Sequence, residues 1–406
     1  MRALGALSIL SFNLLSVKQL GAEQAGYLFI CVSIVTFLST FSRLGFENTV
    51  LRFTSANAEK GNTVKSILDF SFKYAIIFSV SIASLLFYLA PSIANGVFKS
   101  NSMLNPLQNI APVVVGLTIT FIVSMSLQAR LRIISSVPCQ GLTHILIFSV
   151  CILAFNTKTA SAAASVFSFS VFVSAVYYYC IAIRGLNNNG EKIASEDMWL
   201  SSRSNWSVSM CTSTMQVGAI VIIGIYLPAE EASYFSAAQR LALVCSFLLT
   251  AINVIIPVKL SQYSASGDVV KLKRTSILSV RLMLACGLPL VVLLYSFSSF
   301  LMGLFGEGFL QRSSLLEILL IGQLVSLATG SAGNLLMMTG NERYMNLSVI
   351  CPAIFFLIFT PIATLKFGAT GAATITAISI IMQNLLCIIF VKKQLGFNML
   401  VFWQKV

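Results

Sequence analysis

Residues 282–306 read LMLACGLPLVVLLYSFSSFLMGLFG, 25 consecutive positions without a formal charge. A helix of about 20 apolar residues crosses the ~30 Å hydrocarbon core of a bilayer, so this run reads as a membrane span. A barrel strand would alternate apolar and polar residues over ~10 positions, and the runs 291–294 and 378–382 do not alternate. Outward from this stretch, charge-free segments divide the chain into twelve candidate spans: 3–17, 24–42, 74–98, 100–129, 133–157, 159–183, 204–229, 241–258, 282–306, 318–341, 344–365 and 367–391. The first is short, and the eighth is expected to begin before Arg240, near Ser233. Composition agrees. Of 406 residues, 57% are apolar and 10% charged, against about 25% charged in a soluble domain. The mean hydropathy is +0.89. Charge this scarce cannot coat a water-soluble surface, which excludes a soluble enzyme, a disordered chain and a nucleic-acid-binding domain. The expected fold class is an all-α polytopic membrane protein.

Lys+Arg is 26 and Asp+Glu is 13, a net charge of +13. With the N-terminus placed in the cytoplasm and sides alternating, 20 of the cations fall on the cytoplasmic side, five on the other, and Arg240 inside a span. That is a strong positive-inside bias. It predicts both termini in the cytoplasm and an even number of spans. The N-terminal run lacks the tripartite pattern of a signal peptide and reads as the first span. The nine cysteines lie in or beside apolar spans and none forms a CxxC pair. They read as small packing residues. The single histidine, His144, cannot by itself make a zinc site, so neither a metal nor another cofactor is expected.

The two halves resemble each other. Ala22-Glu23-Gln24-Ala25-Gly26-Tyr27 returns as Ala229-Glu230-Glu231-Ala232-Ser233-Tyr234, an offset of 207. Ser55-Ala56-Asn57-Ala58-Glu59-Lys60-Gly61-Asn62 aligns with Ser261-Gln262-Tyr263-Ser264-Ala265-Ser266-Gly267-Asp268 at 206, and Arg132 with Arg343 at 211. Each repeat then holds six spans. Six is even, so both repeats enter from the same side, as parallel repeats enclosing a central cavity. The expected organisation is an N-terminal six-helix half over 1–184, a hydrophilic cytoplasmic linker over 185–203 and a C-terminal six-helix half over 204–406.

No catalytic pattern is present: there is no Walker A lysine motif, no GxSxG and no HExxH. An enzyme is not expected. The informative residues are charges in or near spans, because each costs ~2.5–3.5 kcal/mol at mid-helix. Arg240 lies about seven residues, or ~10 Å, into the eighth span. It reads as a substrate contact or as a hydrogen-bonding partner of a broken helix. Lys73 and Arg281 each enter the third helix of their half from the cytoplasmic side. Lys65, Asp69 and Lys73 share a face at one-turn spacing, so Asp69 can neutralise one lysine; snorkelling is the alternative for Lys73. Arg43, Glu47 and Arg52 cluster at the end of the second span, where Arg43 and Glu47 are spaced to pair. They read as a gate or headgroup contact, or as a plain interfacial anchor. Glu317 precedes a long apolar run and reads as an ion-coupling carboxylate or as a helix-end residue. Asn13, Gln216, Gln323 and Asn384 read mostly as links between helices, and Pro257, Pro289 and Pro352 as positions where helices kink.

The run Lys18-Gln19-Leu20-Gly21-Ala22-Glu23-Gln24-Ala25-Gly26-Tyr27 resembles the first-loop signature of polysaccharide flippases. Arg43-Leu44-Gly45-Phe46 with Arg52-Phe53 is similar to the end of their second helix, and Phe367-Gly368-Ala369-Thr370-Gly371-Ala372-Ala373 to the loop before their last. The group so resembled is the O-antigen flippase type, the polysaccharide transporter family of the multidrug/oligosaccharidyl-lipid/polysaccharide exporter superfamily. The resemblance implies a flippase that moves undecaprenyl-pyrophosphate-linked oligosaccharide across the bacterial inner membrane by alternating access. It implies a cationic cavity to which Arg240, Arg281 and Lys73 would contribute. The partners it implies are the lipid-linked oligosaccharide, the phospholipid bilayer, and an O-antigen polymerase with its chain-length machinery; nucleic acid is not among them. Two other readings stay open. A cation-coupled multidrug exporter of the same fold would want acids in the cavity, for which the chain offers mainly Glu317 and Glu47. A glycan polymerase or ligase would want a large outward loop, and the longest here is near 90–109.

Overall fold

The computed structural model describes residues 2–56, 61–184, 186, 195–246, 256–266 and 268–399. Helix α1, Arg2–Ser42, contains a backbone break at Gly21 (φ 80°, ψ 168°) and so supplies the first two spans. A short α2, Phe46–Ala56, leads into α3, Gly61–Ser92. Helices α4, Leu104–Ile110, and α5, Val113–Ala129, form one bent span with 41° between them. Helices α6, Ile133–Val137, and α7, Thr143–Ala154, run on through a wide turn begun by Pro138. Thr159 caps α8, Ala160–Ile183, its side chain accepting from Ala162 N at 3.3 Å, which satisfies one of the free N–H groups of the first turn.

The second half follows the same order. It comprises α9, Ser195–Tyr226; α10, Ala229–Ala242; a short α11, Ile256–Ala265; and α12, Val269–Ser296. The small helices α13, Ser298–Gly303, and α14, Glu307–Leu310, come next. Helices α15, Ser313–Thr329, and α16, Ala332–Met338, form a second bent span at 44°. Helix α17, Glu342–Leu395, is broken at Gly368 (φ 65°, ψ −151°) and ends on Gly396, whose left-handed backbone closes the last turn onto Lys392 O. Seven described helices are long and apolar enough to cross a membrane, nine with the two bent pairs. The breaks in α1 and α17 each divide one of these in two, so eleven of the twelve expected spans fall on described helices. The eighth, 241–258, runs through 247–255, outside the described residues.

Element starts recur at nearly constant spacing. Gly61 of α3 and Val269 of α12 are 208 apart, Ile133 of α6 and Glu342 of α17 are 209, and Ala160 of α8 and Ala369 after the second break are 209. Arg132 is the cap residue of α6, and Asn341 holds that place before α17, so Arg343 sits two residues further in than its aligned counterpart. Pro289, Pro352 and Pro361 lie inside α12 and α17 without ending them; the non-helical backbone falls at the two glycines.

By contacts the chain forms two compact units, Met1–Ser233 and Tyr234–Val406. In the first, Phe46 and Val50 of α2 pack with Ile67 and Leu68 of α3, Ile122 of α5 and Tyr178 of α8. In the second, Leu260 of α11, Val280 of α12, Leu335 of α16 and Val391 of α17 form the equivalent cluster. Between helices in lipid the drive is close packing and hydrogen bonding rather than escape from water. Ser124 and Ser136 illustrate it, each hydroxyl donating to the other's carbonyl at 3.1 and 2.9 Å. Gln323 accepts from Ser246 at 3.1 Å and Asn384 from Thr329 at 2.9 Å, as expected of polar links between helices.

Candidate functional site

At the end of α1 the chain turns through Leu44 (φ 51°) and Gly45 (φ 78°) into α2, with Phe46 N donating to Arg43 O at 2.9 Å. The turn places Arg43 at the C-terminal end of one helix and Glu47 in the first turn of the next. Each charge therefore suits the dipole of the helix end it occupies. Arg43 Nε lies 2.5 Å from Glu47 Oε2. Arg43 Nη2 donates to Thr40 Oγ1 at 2.6 Å, and the guanidinium carbon sits 4.1 Å from the centre of the Phe121 ring of α5, a cation–π contact. The other carboxylate oxygen, Glu47 Oε1, accepts from Ser209 Oγ of α9 at 2.9 Å. Both charged residues are buried, at 6% and 9% exposure.

Helix α9 seals the same turn. Ser202 Oγ donates to Leu44 O, Trp206 Nε1 donates to Phe41 O at 3.1 Å, and Thr49 Oγ1 donates to Ser201 Oγ at 3.4 Å. The last carbonyls of α1 have no partner within their own helix; Trp206 of α9 donates to one of them, Phe41 O, and Ser202 donates to Leu44 O in the turn beyond. A Cβ on Gly45 would run into Ser202 O, so the two backbones meet here without room for a side chain.

The sequence profile of a family described as "Polysaccharide biosynthesis protein" matches residues 18–313, most of the chain. The chain belongs to that family. Three solved structures share its fold. The lipid II flippase MurJ in an inward closed conformation superposes with a TM-score of 0.73 at 14% identity, over 96% of this chain and 85% of that one. An inward-facing multidrug resistance MATE family transporter of the MOP superfamily gives 0.74 at 12%, over 98% and 95%. The MATE multidrug transporter DinF-BH gives 0.68 at 13%, over 99% and 94%. A search of curated protein sequences returns no significant match. The fold is thus that of MOP-superfamily transporters, and this family member is a multi-pass membrane protein.

Of the seven residues singled out from this family member's sequence, Arg43 and Glu47 meet directly. Arg52 lies five residues beyond Glu47, about 140° further round α2. It is exposed, with its guanidinium 6.0 Å from the Phe53 ring centre. Lys73 is also exposed, its Nζ 5.7 Å from the Tyr74 ring centre. Asp69 forms no ion pair with Lys65 or Lys73 among the described residues; exposed pairs gain little and cost side-chain entropy. Arg240 and Arg281 belong to the second unit, in α10 and α12, both half-buried. Arg240 Nε is buried without a hydrogen-bond partner, and Arg240 makes no ion pair with any described residue. Glu317 sits in the second turn of α15 and accepts from Ser298 Oγ of α13 at 2.7 Å, which ties it to a helix end.

Sequence reasoning missed Thr40, Phe121, Trp206 and Ser209. Ser209 lies 162 residues from Glu47, and nothing local to either residue announces the pairing. His144 is buried in α7 with its ring edge-on to Phe167 at 5.9 Å, a packing position.

Proposed function

We propose that this chain is a flippase for undecaprenyl-pyrophosphate-linked oligosaccharide, an O-antigen repeat unit or a relative of it, in the bacterial inner membrane. Arg240 carries the reading: it is a half-buried cation on an apolar chain, its Nε is buried without a hydrogen-bond partner, and it makes no ion pair with any described residue. Arginine stays charged at any ordinary pH and binds phosphate oxygens in a bidentate fork. A pyrophosphate headgroup supplies the missing anion, with Arg281 and Lys73 as further cations of the path. Family membership and the likeness to MOP-superfamily folds support transport rather than catalysis. The working motion is alternating access between the halves 1–184 and 204–406, joined by a cytoplasmic linker over 185–203, with both termini in the cytoplasm. Arg43, Glu47 and Arg52 act at the cytoplasmic gate, and Glu317 is the candidate for ion coupling. An O-antigen polymerase and its chain-length machinery take the product.

The test is the pool of lipid-linked oligosaccharide, with surface glycan, in cells carrying the wild type, Arg240→Ala or no gene. Loss of the gene should leave intact precursor facing the cytoplasm and abolish surface glycan. Arg240→Ala should do the same at normal membrane abundance, and Arg240→Lys should transport poorly because it lacks the fork. Full export by Arg240→Ala would remove that residue from the path. An unchanged pool with altered sensitivity to cationic drugs would instead select the cation-coupled multidrug exporter, the alternative that the MATE folds keep open.

A further inference from the structure

Helices α3 and α5 leave an open groove of about 270 Å³ between them, and α12 and α15 leave one of about 230 Å³ in the other unit. Val80, Ala83, Ser84 and Phe87 line the first groove from α3, Ala111 and Pro112 line it from the break between α4 and α5, and Val115 from α5. Counting 208 onward from the α3 set gives Leu288, Val291, Val292 and Tyr295. Counting 209 onward from the other set gives Leu320, Ile321 and Leu324. Those seven residues are the whole lining of the second groove. Tyr88 alone in the first groove has no counterpart.

Burial agrees at every pair. Ala83 and Val291 are buried, as are Ala111 and Leu320, and they form the floors. Val80, Ser84, Phe87 and Pro112 are exposed, and so are their four counterparts. Val115 and Leu324 are both half-buried. No pair keeps the same residue. The two repeats have diverged at every lining position while preserving the groove. In lipid, an unfilled groove forfeits the dispersion contacts of its walls, so its ligand is an apolar chain. Val80 to Phe87 rises ~10 Å along α3, less than one leaflet of a ~30 Å core. Phe87 and Tyr295 mark the end nearer the helix C-terminus, Tyr being a residue type that favours the headgroup boundary.

We propose that each groove seats one acyl chain of a bilayer phospholipid, entering from the leaflet at the C-terminal ends of α3 and α12. A pyrophosphate-bearing substrate lipid is the poorer occupant. It would need only one seat, and it would need a cation that neither lining contains. The inference rests on the chain being a membrane protein and holds whatever it transports.

The experiment uses the full chain in phosphatidylethanolamine vesicles doped with the same lipid carrying a diazirine on its acyl chain. After irradiation, labelled peptides are mapped by mass spectrometry. Segments 80–88 and 288–295 should label several-fold above 354–359, an equally exposed apolar stretch of α17. Ser84→Trp and Val292→Trp, both on exposed rims, should each lower labelling in their own groove and leave the other unchanged. Uniform labelling of the three segments would overturn the proposal. So would labelling that an added polyprenyl phosphate displaces and added phosphatidylethanolamine does not, since the occupant would then be the substrate tail.

Discussion

Arg43 and Glu47 are two charges taken out of water within one turn of chain, which is costly unless each meets a full set of partners. Thr40, Phe121 and Ser209 add partners from α1, α5 and α9. Removing one member strands the other as an unpaired buried charge. Glu47→Gln and Arg43→Ala should each cost about 3–5 kcal/mol, read as a lowered unfolding temperature in detergent. The double variant Arg43→Met, Glu47→Leu removes both charges and should recover most of that loss, because apolar residues of similar volume often replace a buried pair without penalty. Transport then separates two roles. A gate that works by breaking this pair should fail in the stable double variant, whereas a purely structural pair leaves transport intact once stability returns. The pairing of Arg43 with Glu47 was legible in their spacing of four, although the contact is made across the Leu44-Gly45 turn between two helices and not along one helix. Their burial was not, because the flanking Arg52 looks the same in sequence yet faces outward.

The two long helices α1 and α17 are broken at glycines and not at prolines. Gly21 sits at φ 80°, ψ 168°, a region open to glycine alone. A Cβ built there meets nothing within 4 Å, so strain and not crowding decides the effect of a substitution. Gly21→Ala should cost on the order of 1–3 kcal/mol and straighten the junction between the first two spans, measured by thermal unfolding and by labelling of a cysteine placed at Lys18. An unchanged unfolding temperature would mean that the break relaxes freely. The spans themselves were readable because a charge-free run of 20 residues has few other uses. The breaks were less so: Pro289 and Pro352 looked like the natural kinks, but both sit inside helices that continue. A proline deep in a long helix loses one hydrogen bond that packing can offset, whereas a positive φ cannot be absorbed by a helix at all. The matched grooves were invisible to sequence reading because none of the paired residues is the same.

At the scale of the whole molecule the question is how the two repeats thread the membrane, and two lysines decide it. Lys158 lies in the turn between α7 and α8, and Lys366 lies just before the break in α17, 208 residues later. Both are exposed. They occupy the same place in the order of elements, so parallel repeats put them on one side and inverted repeats put them on opposite sides. The cation count predicts both on the side away from the cytoplasm, among the five cations assigned opposite the other 20. All nine natural cysteines are unpaired thiols, and Cys180, Cys286 and Cys351 are exposed, so they must first become serine. Lys158→Cys and Lys366→Cys in that background should both react with a membrane-impermeant maleimide added to intact spheroplasts. A cysteine at Arg2 should react only after the membrane is opened. Labelling of one lysine position and not the other would make the repeats inverted and end the six-plus-six reading. Protection of both, with Arg2 reactive, would keep the parallel repeats but turn the protein over. That result would set the charge bias against the topology, and Arg240 would then have to be placed again on the path from the opposite side.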